Sequence, residues 1–297
     1  MAEYYESTPV PLLVDITSLI SFHYFEYVKN FHGVGERHDF WEFVYIDYGE
    51  VEITANDQLH HASAGESFLH KPNEYHNIKS TGDFSSSFII SFESGGEILH
   101  HLSGRILKLY GKEAVILERL FEQGKQIFQE PYDIFDQKKL VLRQEWAAAG
   151  PQIMKSYLEM FFILLAHSTA GYENEVSLKG SSRAGTEEKI VDQVIGIISD
   201  SVYQRITLDE ICHHLSFSKS YILKVFKSKM GRSVMDYYNL IKIKEAKRLI
   251  SESRYTYTEI AALLNYSSIH HFSKHFKKVT KMTPSGYQKS LKSRMVI

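Results

Sequence analysis

Thr207-Leu208-Asp209-Glu210-Ile211 returns, 49 positions on, as Thr256-Tyr257-Thr258-Glu259-Ile260. Leu215-Ser216-Phe217-Ser218 returns as Leu264-Asn265-Tyr266-Ser267. After a one-residue insertion the offset becomes 50: Ile222, Phe226, Lys227, Ser233 and Tyr237 match Phe272, Phe276, Lys277, Thr283 and Tyr287. Agreement at so many positions marks two copies of one supersecondary unit. In each copy the threonine and the glutamate three residues later spell a capping box. The hydroxyl caps the first turn and the acid reaches back to the cap. A short helix therefore opens at Thr207 and Thr256 and ends near Leu215 and Leu264. A tight turn follows, and Ser218 and Ser268 start a second helix. The predicted unit is helix, brief turn, helix, in duplicate.

The second helix of each unit carries the chemistry. In the first, Ile222, Val225, Phe226 and Met230 form the expected inward stripe, leaving Ser220, Leu223, Lys224 and Lys227 outward. In the second, Phe272, His275, Phe276 and Val279 are expected inward, leaving Ile269, His270, Ser273, Lys274 and Lys277 outward. Outward faces that mix donors, lysines and one aliphatic side chain suit a major groove. Lysine reaches guanine acceptors or phosphate, and Leu223 or Ile269 can touch a thymine methyl. The plainer alternative is a helical solenoid whose lysines are merely solvated. Between the units, residues 235–253 read as one helix of about 27 Å. That approaches the ~34 Å between successive major-groove faces of B-DNA, so it can hold both second helices against one DNA face.

Charge agrees. The whole chain has a net charge of −2. From Arg183 onward, however, 20 basic residues face 10 acidic ones, whereas the preceding part has 14 against 26. A basic C-terminal domain on an acidic N-terminal one suggests that the C-terminal part alone faces a polyanion.

The text of the last ~110 residues resembles the AraC/XylS class of transcription regulators. The carrying segments are Ile206-Thr-Leu-Asp-Glu-Ile, Ser218-Lys-Ser-Tyr-Ile-Leu-Lys-Val-Phe-Lys, Lys242-Ile-Lys-Glu-Ala-Lys-Arg-Leu, Tyr257-Thr-Glu-Ile-Ala and His271-Phe-Ser-Lys-His-Phe-Lys-Lys. Most specific is Lys281-Met-Thr-Pro-Ser-Gly-Tyr287, close to the closing G-x-T-P-x-x-Y of that class. Lys281 departs from the usual glycine and Lys242 from a frequent arginine.

Upstream, the pattern changes twice. Up to about Glu93, short runs such as Glu42–Ile46, Glu50–Thr54 and Phe88–Phe92 read as strands between turn signals like Tyr48-Gly49 and Asn56-Asp57. They predict a sandwich or small barrel. From Gly96 the period turns helical, with Ile106, Leu109 and Tyr110, then Val115, Ile116, Leu120 and Phe121, recurring at three and four. A further helix runs from Pro151 through Phe161 and Leu165, apolar on more than one side, and reads as either a core helix or a homodimer seam. A polar stretch over 173–188 reads as an interdomain linker.

This first part resembles the cupin-type effector domain of such regulators, carried by His38-Asp39-Phe40-Trp41-Glu42, Gly65-Glu-Ser-Phe-Leu-His-Lys-Pro72 and His76. Alternation puts His38, Phe40, Glu42, Val44 and Ile46 on one strand face and Trp41, Phe43 and Tyr45 on the other. The resemblance points the first set into the barrel, so His38, Phe40, Glu42, Val44 and His76 are the expected effector contacts. The other face is apolar and needs a cover, either helices or a partner subunit. Three readings of His38, Glu42 and His76 stay open: polar contacts to a small organic ligand, mutual satisfaction within the barrel, or, with Glu36, a metal set like that of enzymatic cupins.

Nothing in the sequence calls for catalysis: there is no phosphate-binding glycine loop and no nucleophile elbow. The single cysteine, Cys212, reads as a structural thiol and excludes an intramolecular disulfide. The N-terminus carries no secretory pattern, and the longest apolar run, Met160–Ala166, is far short of a membrane span. The expected protein is thus a cytoplasmic, non-enzymatic α+β two-domain chain without cofactor. Residues 1–95 form a cupin-like β-barrel, 96–172 a flanking helical dimerisation region, 173–188 a linker, and 189–297 an all-α tandem helix-turn-helix domain. The resemblance implies promoter or operator DNA as partner, together with a small-molecule effector (a carbohydrate is the class it suggests), a second copy of the chain, and RNA polymerase.

Overall fold

The computed structural model describes residues 7–134, 137, 139–169, 181–215 and 217–294. Its N-terminal half is two antiparallel sheets. The larger has the order β1 (Asp15–Val28), β7 (Phe84–Gly95), β2 (Trp41–Tyr48), β5 (Glu66–His70) and β8 (Leu107–Lys108). The smaller has the order β4 (Gln58–Ser63), β3 (Glu50–Ala55) and β6 (His76–Ser80). Strand pleating sends alternate side chains to opposite faces. On β2, Val44 and Ile46 enter the core between the sheets with Phe25, Tyr27, Val51, Ile53, Phe68 and Ile89. Trp41 and Phe43 join the second core, on the outer face.

Helices of the same chain cover that outer face: α1 (Ile98–Leu102), α2 (Gly111–Ile127) and α3 (Gly150–Thr169). The Phe43 ring lies 5.0 Å from Phe161 and 5.8 Å from Phe162, centroid to centroid. Phe161 and Leu165 are fully buried in this core, so the dimer seam expected through them is replaced by intrachain packing. The reason is geometric: a sheet apolar on both faces needs its second cover, and α3 is the longest apolar helix available.

Two further expectations change. Ile106, Leu109 and Tyr110 were spaced for a helix, but Leu107–Lys108 is a strand paired to Ser67 and Glu66, and α2 starts only at Gly111. A short apolar run is ambiguous between the two periods, and here the open edge of β5 decides. The stretch expected as linker is helical from 181, within α4 (Ser181–Asp200), while 173–180 lies outside the described residues. The apolar side of α4, with Ile190, Val191, Val194 and Ile198, is part of the C-terminal core.

The C-terminal domain follows the repeat. Its first unit is α5 (Leu208–His214) and α6 (Lys219–Met230), and its second is α8 (Tyr257–Leu263) and α9 (Ile269–Thr280). They are joined by α7 (Val234–Glu252), and α10 (Pro284–Arg294) closes the domain. Both capping boxes are complete, with Thr207 and Thr256 accepting from the backbone of Glu210 and Glu259 and those carboxylates answering the cap N–H. Ser218 and Ser268 cap α6 and α9 by accepting from the backbone N–H of Tyr221 and His271.

Candidate nucleic-acid interface and effector cluster

Each capping serine fixes where a second helix begins and hence which of its residues face outward. On α6, Ile222, Val225 and Phe226 are buried, while Ser220, Lys224 and Lys227 are exposed and Leu223 is half-buried. On α9, Phe272 and Phe276 are buried, His270, Lys274 and Lys277 are exposed, and Ile269 and Ser273 are half-buried. The repeat therefore presents two equivalent polar, basic faces. Val279, expected inward, is 40% exposed, because α9 ends at Thr280 and the chain turns away at Lys281. His275 is half-buried, and its Nδ1 lies 2.8 Å from the Tyr266 hydroxyl. The α9 face also includes exposed His271 and Lys278, which the repeat alone did not single out.

Much of the remaining positive charge points elsewhere. Lys244 of α7, only 5% exposed, gives its Nζ to the Asp47 carboxylate at 2.8 Å and to the Asp47 carbonyl at 2.5 Å. Lys247 pairs with Glu26, which also accepts from the Tyr287 hydroxyl at 2.7 Å. Tyr48 donates to Glu245 at 2.9 Å, and Arg232 reaches Glu118 at 2.6 Å. The acidic edge of the N-terminal half is thus a partner for the basic domain, a use of charge that composition could not distinguish from nucleic-acid binding. Lys242, buried on α7, stands over the Tyr266 ring at 4.3 Å and serves packing.

At the mouth between the sheets a second constellation forms. His38 and Phe40 precede β2 rather than lying on it, and the Phe40 ring stacks on His38 at 3.7 Å. Glu42, on β2, faces His38 Nε2 at 3.6 Å and His76 Nε2 at 3.5 Å. Backbone bonding in both directions between Glu36 and His76 sets the Glu36 carboxylate 3.9 Å from His76 Nε2. Glu42 Oε2 also accepts from Ser91 at 3.1 Å, and Ser91 accepts from Ser21 at 2.7 Å. Burial alone would raise the Glu42 carboxyl, but the two imidazoles outweigh it and hold it well below the usual carboxylate range. Burial alone would lower His76, yet Glu42 outweighs it and the imidazole sits above its ordinary value. Four of the residues singled out in the sequence thus meet here: His38, Phe40, Glu42 and His76. Val44 lies apart, packed in the inter-sheet core. An open cleft of about 440 Å³ lies elsewhere, lined by Trp41, Lys71, Pro72, Ser94 and His100 among others.

Comparison with known proteins places both halves. A family profile described as AraC-like ligand binding domain matches residues 22–139, and one described as Helix-turn-helix domain matches residues 211–290. Transcriptional regulatory protein HptR of Staphylococcus aureus is 32% identical over 106 residues, which are 36% of this chain and 42% of HptR. An uncharacterized HTH-type transcriptional regulator of Bacillus subtilis, YtdP, is 32% identical over 116 residues, 39% of this chain and 15% of its own length. The matched stretch thus spans less than half of these curated relatives. Among solved structures, ToxT from Vibrio cholerae O395 aligns over 91% of this chain and 96% of its own, at 13% identity and a TM-score of 0.34. With a ligand-binding domain of the AraC type followed by a duplicated helix-turn-helix domain, the chain belongs to the AraC-type transcription regulators.

Proposed function

We propose that this chain is a sequence-specific, non-enzymatic regulator of the cytoplasm that reads promoter or operator DNA through α6 and α9 and answers to a small molecule held by its N-terminal domain. The observation that carries the reading is the pair of equivalent exposed faces. Ser220, Leu223 and Lys224 on one helix, and Ile269, His270, Ser273 and Lys274 on the other, address base edges. Lys227 and Lys277 lie further along and meet phosphate. With α7 at 19 residues, or about 28 Å, the faces address two base-pair groups about one helical turn apart. Footprinting with base-substitution scanning tests this. Lys224→Ala and His270→Ala should each relax preference in one group at about 1–3 kcal/mol per contact, whereas Lys227→Ala and Lys277→Ala should weaken all sequences and flatten the salt dependence. Relaxation of the same base positions by both of the first two variants would overturn the two-groove arrangement.

The effector is assigned to the cluster of His38, Glu42 and His76 with Phe40 beside it, Val44 being left to the inter-sheet core, and its class to carbohydrates, whose hydroxyls match the acceptor-rich cluster. Thermal shifts of the chain with a panel of sugars check the class. Self-association as a homodimer is assigned to the outer side of α3. There Met160 and Ile163 remain exposed, one and two positions from the buried Phe161. Met160→Glu with Ile163→Glu should give a soluble monomer in sedimentation, whereas Phe161→Glu should unfold the domain. RNA polymerase is proposed as a further partner, which an activator would contact and a repressor would not need.

A further inference from the structure

We infer that Tyr266 and His275 are the positioning pair of the second helix-turn-helix unit, holding α9 at its reading angle through one hydrogen bond that requires a neutral imidazole. This rests on α9 reading DNA and adds what fixes the helix while it does so. The two copies of the repeat differ at this point. Phe217 and Val225 hold in the first unit the places of Tyr266 and His275, and Val225 is 4% exposed within the core. The first unit thus anchors its second helix there by apolar packing, whereas the second has a phenol and an imidazole in the same two places.

Tyr266 lies in the turn between α8 and α9, and three consecutive turn residues grip α9. Ser268 caps the helix by accepting from the backbone N–H of His271. Ser267 Oγ lies 3.0 Å from His271 Nδ1. Tyr266 Oη lies 2.8 Å from His275 Nδ1, one turn further along. The Tyr266 ring also meets Phe272 at 5.3 Å and His271, nearly perpendicular, at 5.4 Å. From α7, Lys242 Nζ stands 4.3 Å from the centre of the same ring and 5.3 Å from that of Tyr238. One aromatic side chain therefore ties α9 to α7, the helix that joins the two units.

Which group donates follows from the surroundings. Burial holds the Tyr266 phenol well above its usual range, so the hydroxyl keeps its proton. Among the described residues it has no other acceptor, so it donates to His275 Nδ1. Burial, and then the charges of His271, Lys242 and Lys278, push the His275 imidazole below its ordinary 6.5. The ring is therefore neutral at pH 7.5, with Nδ1 accepting and the proton on Nε2. Among the described residues the charges that shift it are all basic groups, His271 and Lys278 on α9 and Lys242 on α7. An imidazolium would turn a donor towards the phenol and add a charge beside Lys242. The bond thus contributes in full above 6.5 and is lost as pH falls through the folded value.

The test uses the full chain and a duplex that the wild type selects from a random pool at pH 7.5, with base-substitution scanning at pH 7.5 and 5.0. Wild-type preference in the base group read by α9 should fall about fivefold at the lower pH, the worth of one ordinary hydrogen bond, while preference in the group read by α6 holds. Tyr266→Phe, which keeps the ring beneath Lys242, should show the same loss already at pH 7.5. His275→Asn, which places a non-titrating amide oxygen where Nδ1 stood, should keep the preference at both. His270 and His271 remain in both variants, so their own titration does not mimic this pattern. Nitrogen-15 labelling of the histidines gives a readout without DNA: Nδ1 of His275 should be the unprotonated nitrogen at pH 7.5. A proton on Nδ1, an equal loss in both base groups on acidification, or a loss in His275→Asn at pH 5.0 would overturn the pairing although DNA is still read. A wild type that selects no duplex would refute the reading of DNA by α9, and the positioning role with it, even with the tautomer as described.

Discussion

Replacing Asp47 by alanine removes the carboxylate that pairs with the buried ammonium of Lys244 across the two halves of the molecule. Its partner, Lys244, is buried on α7 and retains the backbone carbonyl of residue 47 and the Tyr48 ring, 5.8 Å from its Nζ, but no carboxylate at hydrogen-bond distance. Deleting one member of a buried pair costs about 3–5 kcal/mol, because the other stays desolvated without its counter-charge. Here the loss has a ceiling. If α7 lifts from the edge of the sheet, Lys244 regains water, so the cost cannot exceed the free energy that docks the halves together. Docking also rests on Glu26, Glu118 and Tyr48. Calorimetry should therefore change from one concerted unfolding transition in the wild type to two in Asp47→Ala, each half unfolding by itself. Limited proteolysis should become faster at the junction before α4. Asp47→Asn, which keeps the shape and loses the charge, should behave similarly. Acid should erase the difference. Burial alone would raise the Asp47 carboxyl, but Lys244 outweighs it and holds it below its ordinary 3.8. A depressed carboxyl contributes stability that is complete above its ordinary value and fades as pH falls through the folded one, so wild type and variant should converge there. A loss below about 0.5 kcal/mol with a single transition retained would refute the reasoning, since that is the range of ordinary surface substitutions.

Lys281 adopts φ 63° at the end of α9, where the equivalent position after α6 is Gly231 at φ 71°. Left-handed backbone costs a side-chain-bearing residue about 1–2 kcal/mol, partly offset by the freedom glycine has when unfolded, so Lys281→Gly should stabilise by about 0.5 kcal/mol. A urea midpoint that falls, at unchanged slope, would count against it. Thr256→Ala should cost about 1 kcal/mol by uncapping α8, and Thr256→Ser should restore most of it, both read as urea midpoints. Phe276→Ala should cost about 3–5 kcal/mol, whereas Val279→Lys should stay within about 0.5 kcal/mol in the same assay; parity between them would mean that the inward stripe of α9 is misplaced.

The C-terminal domain was legible because its determinants are local. A threonine, a glutamate three residues later and a capping serine act within one turn of chain, and the duplication showed each signal twice. Alternation on β2 was local too, and it separated Val44 and Ile46 from Trp41 and Phe43. The sequence by itself therefore determined both helix-turn-helix units and the exposed basic faces of α6 and α9, whereas the grouping of His38, Glu42 and His76 was what the resemblance to cupin-type domains implied. Tertiary structure decided the rest. The long strand β1 shows no clean period, and only its pairing with β7 makes it a strand. Phe161 and Leu165 are equally apolar in a dimer seam and in a core, and the outer sheet face, which needed a cover, chose the core. The lysines of α7 look like those of α6 in sequence. What assigns Lys244 and Lys247 to carboxylates of the same chain is that Asp47 and Glu26, some 200 residues earlier, arrive at the same edge. Contacts at that separation depend on where whole elements pack, and no local pattern encodes that.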